Sequence, residues 1–471
     1  MRESVIKPVT RIAGHAKVTI TVNDKEEVSD ARLSVIEFYG FEKVCEGKPF
    51  WEMPSITSRI CGVCSISHQH ASAKTGDGIL GVEIPPTARA LRRLAQAAEV
   101  LQSHALHYFY LAAPDFLLGD VKLAQGGIFS IIAKKPEIAN KGIEIRKFAR
   151  EILFRLTGEG THSVFMIPGG VNNTLSAKDR DIIYRKVDGI INEIKFALDL
   201  TKELYSKNDK KFEMGNFSTY YLGLVNEKGE IDFCDGKLRL RDNKGKTVEE
   251  FAPIDYLSFV EEYTEDWTYL KFPYYKKLGR PLGIYRVGPL ARLNVVDGIN
   301  TPLANEELKE YRKLSRDGII EGSFFYHYAR VIEMLHAAEL IKSLLEDKII
   351  CGTNIRAISN KFQPESVGVV EAPRGTLFHH YKVDSSGKVQ KVNLIIPTTQ
   401  NNPAMNREIM EVAKANFRGH EITEEFMNKI EAAIRCYDPC LSCAAHALGQ
   451  MPLVVQIISS EGEILDVVKR G

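Results

Sequence analysis

The sequence predicts an α+β fold: a core bundle of long helices that carries the functional site, an N-terminal β-hairpin, and small peripheral β-sheets. Three patterns lead there. Apolar residues recur every third and fourth position over three long stretches, strict apolar–polar alternation marks the N-terminal region, and short alternating runs broken by turn residues lie between the second and third helical stretches. At 471 residues the chain can bury a large core, and its 44% apolar and 26% charged residues are those of an ordinary globular protein. It reads as one domain with five regions: a β region over 1–50, core helices over 51–215, peripheral hairpins over 216–300, a core helix with strands over 301–446, and a C-terminal extension over 447–471.

Val18, Ile20 and Val22 alternate with Lys17, Thr19 and Thr21, Asn23-Asp24 turns the chain, and Leu33, Val35 and residues 36–38 return it as a hairpin. Pro85-Pro86 opens the first long helix, whose buried stripe is Leu91, Leu94, Ala98, Leu101 and Ala105. His104 and His107 share a face of it and read as packing residues. Ser176, with Asp179 three residues on, starts a second helix striped by Ile183, Val187, Ile190, Ile194 and Leu198. A third runs from Ser323 to Leu345 with Phe325, Tyr328, Ile332, Leu335 and Leu340 inward. Helices of this length pack best on one another. Over 219–250, the turns Asn226-Glu227-Lys228-Gly229 and Asp242-Asn243-Lys244-Gly245 predict hairpins. A strand pair over 377–383 and 389–396, a helix over 424–434, and a strand–turn–strand tail from Leu453 to Val468 complete the reading.

Chemistry concentrates at two CxxC pairs near opposite ends of the chain. The first is Arg59-Ile60-Cys61-Gly62-Val63-Cys64, followed by His68; the second is Asp438-Pro439-Cys440-Leu441-Ser442-Cys443, followed by His446. Four thiolates make a soft, all-sulfur chelate. Structural zinc pairs lie about 15–20 residues apart and fold a local module, whereas nearly the whole chain separates these. Eight cysteines in 471 residues are too sparse for a disulfide framework, and Met1-Arg2-Glu3-Ser4 opens no secretory signal. The pattern points to a buried metal centre that does chemistry. Cys45, Cys234, Cys351 and Cys436 are scattered and read as small buried hydrophobes. A net charge of +1 gives no nucleic-acid footprint. No apolar stretch spans a bilayer, so a cytoplasmic protein is expected.

With both motifs in hand, the chain resembles the large, catalytic subunit of nickel–iron hydrogenases. Arg59, Cys61, Gly62, Cys64 and His68 meet the family's RxCGxCxxxH; Asp438, Pro439, Cys440, Cys443 and His446 meet its DPCxxCxxH. Gly40-Phe41-Glu42, Pro168-Gly169-Gly170, Glu371-Ala372-Pro373-Arg374-Gly375 and Pro397-Thr398-Thr399 fall in the family's order, so the resemblance covers essentially the whole chain. His104-Ala105-Leu106-His107 through Asp115, and Gln400-Asn401-Asn402-Pro403, look most like cytoplasmic archaeal viologen-reducing enzymes that feed heterodisulfide reductase.

The resemblance implies reversible heterolysis of dihydrogen to protons and electrons. Nickel would be held by Cys61, Cys64, Cys440 and Cys443, with Cys64 and Cys443 bridging to an iron that carries carbon monoxide and cyanide. Arg374 would sit over the open face, held by Asp438. Thr398 would donate to a cyanide, with Pro397 and His68 also binding the cofactor. The released proton would pass to Cys443 or Cys440. A magnesium or second iron would be bound by Glu42, the Leu394 carbonyl and His446. No spare cysteine cluster offers an electron wire, so an iron–sulfur small subunit is implied, with further electron-transfer subunits beyond it. A maturation endopeptidase would cut after His446 and remove 447–471.

One family position departs. The opening motif R-[IV]-E-G-H reads Arg11-Ile12-Ala13-Gly14-His15 here, so Ala13 stands where the family has a proton-relaying glutamate. A water chain or another carboxylate such as Glu37 is the alternative carrier. The substitution keeps two other readings open: a slow dihydrogen sensor, or a catalytically impaired variant. A quinone-module relative of respiratory complex I would lack the four cysteines, which argues against it.

Overall fold

The computed structural model describes the chain except residues 1, 8, 36–39, 119–127, 159–161, 208–214, 266, 269, 316, 360–361, 418–422, 442–452, 459–463 and 471, and gives the backbone alone for 2–7, 128, 453–458 and 464–470. The predicted N-terminal hairpin pairs Ala16–Val22 with Val28–Val35, Val18 opposite Leu33. Its turn is set by Asn23, whose Oδ1 accepts from the amides of Lys25 and Glu27, an Asx turn. The hairpin is the edge of a larger antiparallel sheet. Arg2–Lys7 adds to it, and the two predicted tail strands, Leu453–Ile458 and Ile464–Arg470, add beyond that.

Among the described residues, the helical core has four long members. Three are the predicted ones: Pro86–Leu106, Ala177–Lys207 and Phe325–Glu346. The fourth, Pro136–Thr157, buries Ile145, Phe148, Ala149, Ile152 and Leu156 and packs between the first two. Ser176 caps the second helix as expected: the Asp179 amide donates to Ser176 Oγ, which donates back to the Asp179 carboxylate at 2.6 Å. The expected stripe on Phe325–Glu346 is too narrow. This helix lies central and is buried almost all round from Tyr326 to Glu339, while Phe325 and Leu340 sit at its margin.

A second layer carries the site. Helix Ser65–Leu80 lies on a three-stranded antiparallel sheet of Glu365–Ala372, Gly375–Val383 and Val389–Ile395. The last two strands are the predicted pair; the first was not anticipated. The peripheral sheet of Tyr220–Val225, Lys237–Arg241 and Thr247–Phe251 turns at Asp242-Gly245 as expected. Asn226-Gly229 instead turns the chain into a short bridge, Val225 to Ile231, before the next strand. Helix Pro397–Asn416 and the predicted helix, observed at Glu424–Cys436, close the seam between the two layers. Among the described residues, no helix is long and apolar enough to cross a membrane.

Candidate metal centre

Cys61, Cys64 and Cys440 lie at this seam, each on a short non-helical stretch that frees its thiol. Cys61 follows a turn of 3-10 helix in an extended conformation, and Cys64 caps the N-terminus of helix Ser65–Leu80. Backbone N–H groups there favour a thiolate. Cys61 Sγ accepts from the Cys64 amide at 3.0 Å and from the Val63 amide at 3.4 Å. Cys440 follows helix Glu424–Cys436, and its amide donates to Thr398 Oγ1 at 3.0 Å. Across the seam Cys61 Sγ and Cys440 Sγ are 3.6 Å apart. Two thiolates each about 2.3 Å from one tetrahedral metal stand at about that spacing, far beyond a disulfide's ~2.05 Å. The sulfurs of Cys61, Cys64 and Cys440 all lie within 4.8 Å of one another. Cys443 and His446 lie outside the described residues, as does Glu37.

Arg374 is buried at the start of strand Gly375–Val383, beside these thiols. Its Nε donates to the Asp438 carbonyl at 2.7 Å and its Nη2 to Asp438 Oδ1 at 3.0 Å. Burial alone would lower the guanidinium's pKa, but Asp438 and the thiols of Cys440, Cys64 and Cys61 outweigh it and raise it well above the ordinary value. Burial alone would raise the Asp438 carboxyl, yet Arg374 and His107 hold it at about 2. Arg374 Nη1 is buried and has no hydrogen-bond partner among the described residues.

A cavity of about 260 Å³ opens here, lined among others by Cys64, His68, Arg374, Pro397, Thr398 and Cys440, and reaching Glu42 and Leu394. At its far end Glu42 Oε1 accepts from the Leu394 amide at 2.9 Å and from Lys271 Nζ at 2.7 Å. Glu42 and Leu394, two of the residues expected to bind a second metal, are thus adjacent, and Lys271 already places a cation on the carboxylate.

The donor set fits the nickel–iron group. Soft thiolates surround a small space, and a buried guanidinium N–H offers an unused donor beside them. The family model described as nickel-dependent hydrogenase matches residues 39–125 and 213–446, and one described as HoxL-like matches 4–38. The chain belongs to the nickel-dependent hydrogenase family. It is 42% identical to the NAD-reducing hydrogenase HoxS subunit beta of Cupriavidus necator over 99% of both chains. It is 39% identical to a hydrogenase chain of Methanothermobacter thermautotrophicus over 100% of both. A solved NAD+-reducing nickel–iron hydrogenase in its dihydrogen-reduced state matches at 41% identity and TM-score 0.91, over 95% of this chain and 100% of that one. This chain is therefore a hydrogenase large subunit, an oxidoreductase acting on dihydrogen. Its relatives are named as hydrogenases, NAD-reducing and F420-non-reducing among them, and nothing in those names favours the sensor reading or the impaired one.

Several buried groups that shape this hydrogenase site escaped the sequence reading. Arg292 bonds both Glu333 oxygens at 2.6 and 2.7 Å, Glu371 at 2.8 Å, and the carbonyls of Ala372 and Pro373. It thereby fixes the turn that delivers Arg374. His104 Nε2 is 2.8 Å from Glu333, and His107 Nδ1 is 3.1 Å from Asp438 Oδ1. Both histidines, read as packing residues, are buried on the helix, and each also stands against a buried carboxylate. Their one signal was a pair of histidines on an otherwise apolar face. At the departure from the family pattern, the Ala13 carbonyl accepts from the Leu441 amide at 2.6 Å, so the backbone at Ala13 pairs with Cys440 and Leu441 of the second cysteine motif. Arg11 and Arg435 converge on Asp115, and Arg435 also holds the Thr10 carbonyl, which pins this segment to the helix that delivers Cys440.

Proposed function

We propose that Cys61, Cys64, Cys440 and Cys443 would hold a nickel–iron group whose iron would carry carbon monoxide and cyanide, with Cys64 and Cys443 serving both metals. When bound, this group supplies heterolytic cleavage of dihydrogen. The chain's own residues do the rest. Arg374, aligned by Asp438, directs its Nη1 donor into the cavity, and the Thr398 hydroxyl, fixed by the Cys440 amide, is placed to donate there. Cys440 or Cys443 would accept the proton released there. A magnesium or second iron is held by Glu42, the Leu394 carbonyl and His446, oxygen and imidazole donors that suit a hard or borderline ion. Electrons leave through an iron–sulfur small subunit to further electron-transfer subunits, such as a heterodisulfide reductase or an NAD-reducing module. A maturation endopeptidase removes 447–471.

The observation that carries this reading is three thiols within 4.8 Å under a buried arginine already paired with Asp438. The test is an infrared spectrum of natively purified protein before and after dihydrogen. Carbon monoxide and cyanide bands that shift under the gas are expected. A purified, metal-loaded protein without such bands would sink the nickel–iron assignment.

A further inference from the structure

Helix Pro86–Leu106 turns its apolar stripe to one side of the core and a second, polar stripe to the other. Arg92, Gln96, Glu99 and Ser103 recur at four, three and four, and all are buried. That spacing puts their side chains on one face. Glu99 has no part in the reaction as described, yet it is wholly buried against the start of helix Ser65–Leu80.

The first turn of that helix explains why a carboxyl group is there. A helix leaves its first amides without partners of its own, and the N-cap side chain usually accepts from the second or third of them. Here the N-cap is Cys64, whose side chain makes no capping bond. Glu99 does so from across the core. Its Oε1 accepts from the Ile66 amide at 2.7 Å, and its Oε2 from the Ser67 amide at 2.8 Å and from the Ser67 hydroxyl. Gln96, one turn earlier on the same face, donates from Nε2 to Ser67 Oγ at 2.9 Å and to the Glu371 carbonyl at 2.9 Å. The grip therefore joins the turn at Cys64 to the strand that leads to Arg374.

The same device occurs a second time. Helix Pro302–Arg312 has Thr301 at its N-cap with no capping bond from its side chain, and the Thr301 hydroxyl is instead 3.0 Å from His336 Nδ1. Glu339, on helix Phe325–Glu346, accepts from the amides of Leu303 at 3.0 Å and Ala304 at 2.9 Å. In each case a glutamate from another helix covers the second and third amides, and the N-cap side chain is committed elsewhere. At Thr301 it meets a histidine. At Cys64 it is a thiol within 4.8 Å of the sulfurs of Cys61 and Cys440.

We propose that Glu99 is a positioning residue for the metal centre: by capping helix Ser65–Leu80 in place of Cys64, it fixes where the Cys64 thiol stands and leaves that thiol to bind metal. This rests on the nickel–iron reading only for what Cys64 holds; the cap itself needs no metal.

Glu99→Gln is the sharp variant. A glutamine has one acceptor oxygen, and its NH2 would meet the other amide donor to donor. Glu339→Gln makes the same change at the other cap, on a helix that contributes nothing to the lining of the metal cavity. In metal-free protein, deuterium exchange over residues 64–68 should be faster in Glu99→Gln than in wild type or Glu339→Gln; equal exchange overturns the proposal. In the loaded enzyme, Glu99→Gln should move the carbon monoxide and cyanide bands and lower kcat on the order of 10-fold while KM holds, short of the ~100-fold that a 1 Å misplacement can cost. Glu339→Gln, with a similar fall in melting temperature, should keep wild-type bands and kcat. Unmoved bands in fully loaded Glu99→Gln overturn the proposal. So do equal effects in both variants, which would assign them to general loosening. A folded Glu99→Gln that loses nickel where Glu339→Gln keeps it supports the proposal, because a misplaced thiol holds metal poorly. A wild-type protein without bands would sink the nickel–iron assignment and leave the exchange rates to decide the cap.

Discussion

At the scale of single residues, the site is a buried charge problem. Arg374 faces thiols and is balanced by Asp438, with both side chains almost wholly buried. Removing one partner of such a pair costs about 3–5 kcal/mol, because the other charge stays behind. Asp438→Asn keeps the backbone bond from Arg374 Nε to the residue 438 carbonyl and loses only the carboxylate. Its turnover is expected to fall by about 100-fold or more, as when an aligned donor is lost from an active site, with nickel content retained; parallel kcat and metal analysis check this. Glu408 is a separate case. Burial lifts its carboxyl from the ordinary 4.5 to about 7, against the pull of Arg286 and of bonds from Ser323. The folded state therefore binds a proton the unfolded state releases. The penalty is absent below that ordinary value and grows as pH rises to about 7, reaching roughly 3 kcal/mol. Glu408→Gln is expected to stabilise the protein at pH 8 and to do little at pH 4, read from denaturation midpoints at the two values.

At the scale of elements, the layer that holds Cys64 and His68 depends on close backbone approach. Gly368, on the first strand of the three-stranded sheet, lies under helix Ser65–Leu80. A Cβ there would stand 2.1 Å from the Ala71 carbonyl oxygen and 2.6 Å from the Thr75 nitrogen. Those are backbone atoms that cannot swing aside, so Gly368→Ala must push the helix off the strand. Overpacking of this kind costs about 1–3 kcal/mol, and the displaced helix N-terminus should lower nickel content; a variant with full nickel and an unchanged melting point would show the layer to be compliant. The same contact explains what was legible in the sequence. Ala177–Lys207 was legible because it shows one face to the core and one to water. Glu365–Ala372 was not, because the glycine that admits the helix and burial under it erase alternation. Pro397–Asn416 hid behind Pro403, a proline inside the helix. The cysteine pairs were plain because metal chemistry restricts residue type and spacing. Arg292, Glu333 and Glu371 were not, since their contacts join distant elements with no local pattern.

At the scale of the whole molecule, the two chain ends meet in one sheet, and this bears on the tail. Glu3–Lys7 pairs with residues 454–458, and Leu453–Ile458 pairs with Ile464–Arg470. The tail is therefore held by a backbone ladder on the N-terminal strand, while the segment just before it carries the second cysteine motif. That motif is anchored from the other side, through the Ala13–Leu441 and Thr398–Cys440 bonds. A cut after His446 severs the only covalent link between these two anchored parts. What then remains of the tail is a two-stranded hairpin on a sheet edge, and such a hairpin alone is marginal in water. Mature, metal-loaded protein is expected to end at His446 in intact-mass spectra, with the tail peptide absent after gel filtration. Arg2–Lys7 then becomes the exposed edge strand, so its amides should exchange with deuterium faster in the mature form than in the uncut one. A full-length mass on nickel-loaded, dihydrogen-reactive protein would overturn the cleavage. Equal exchange over residues 3–7 in both forms would show instead that the cut tail stays docked, and that the sheet, once formed, outlasts the bond that built it.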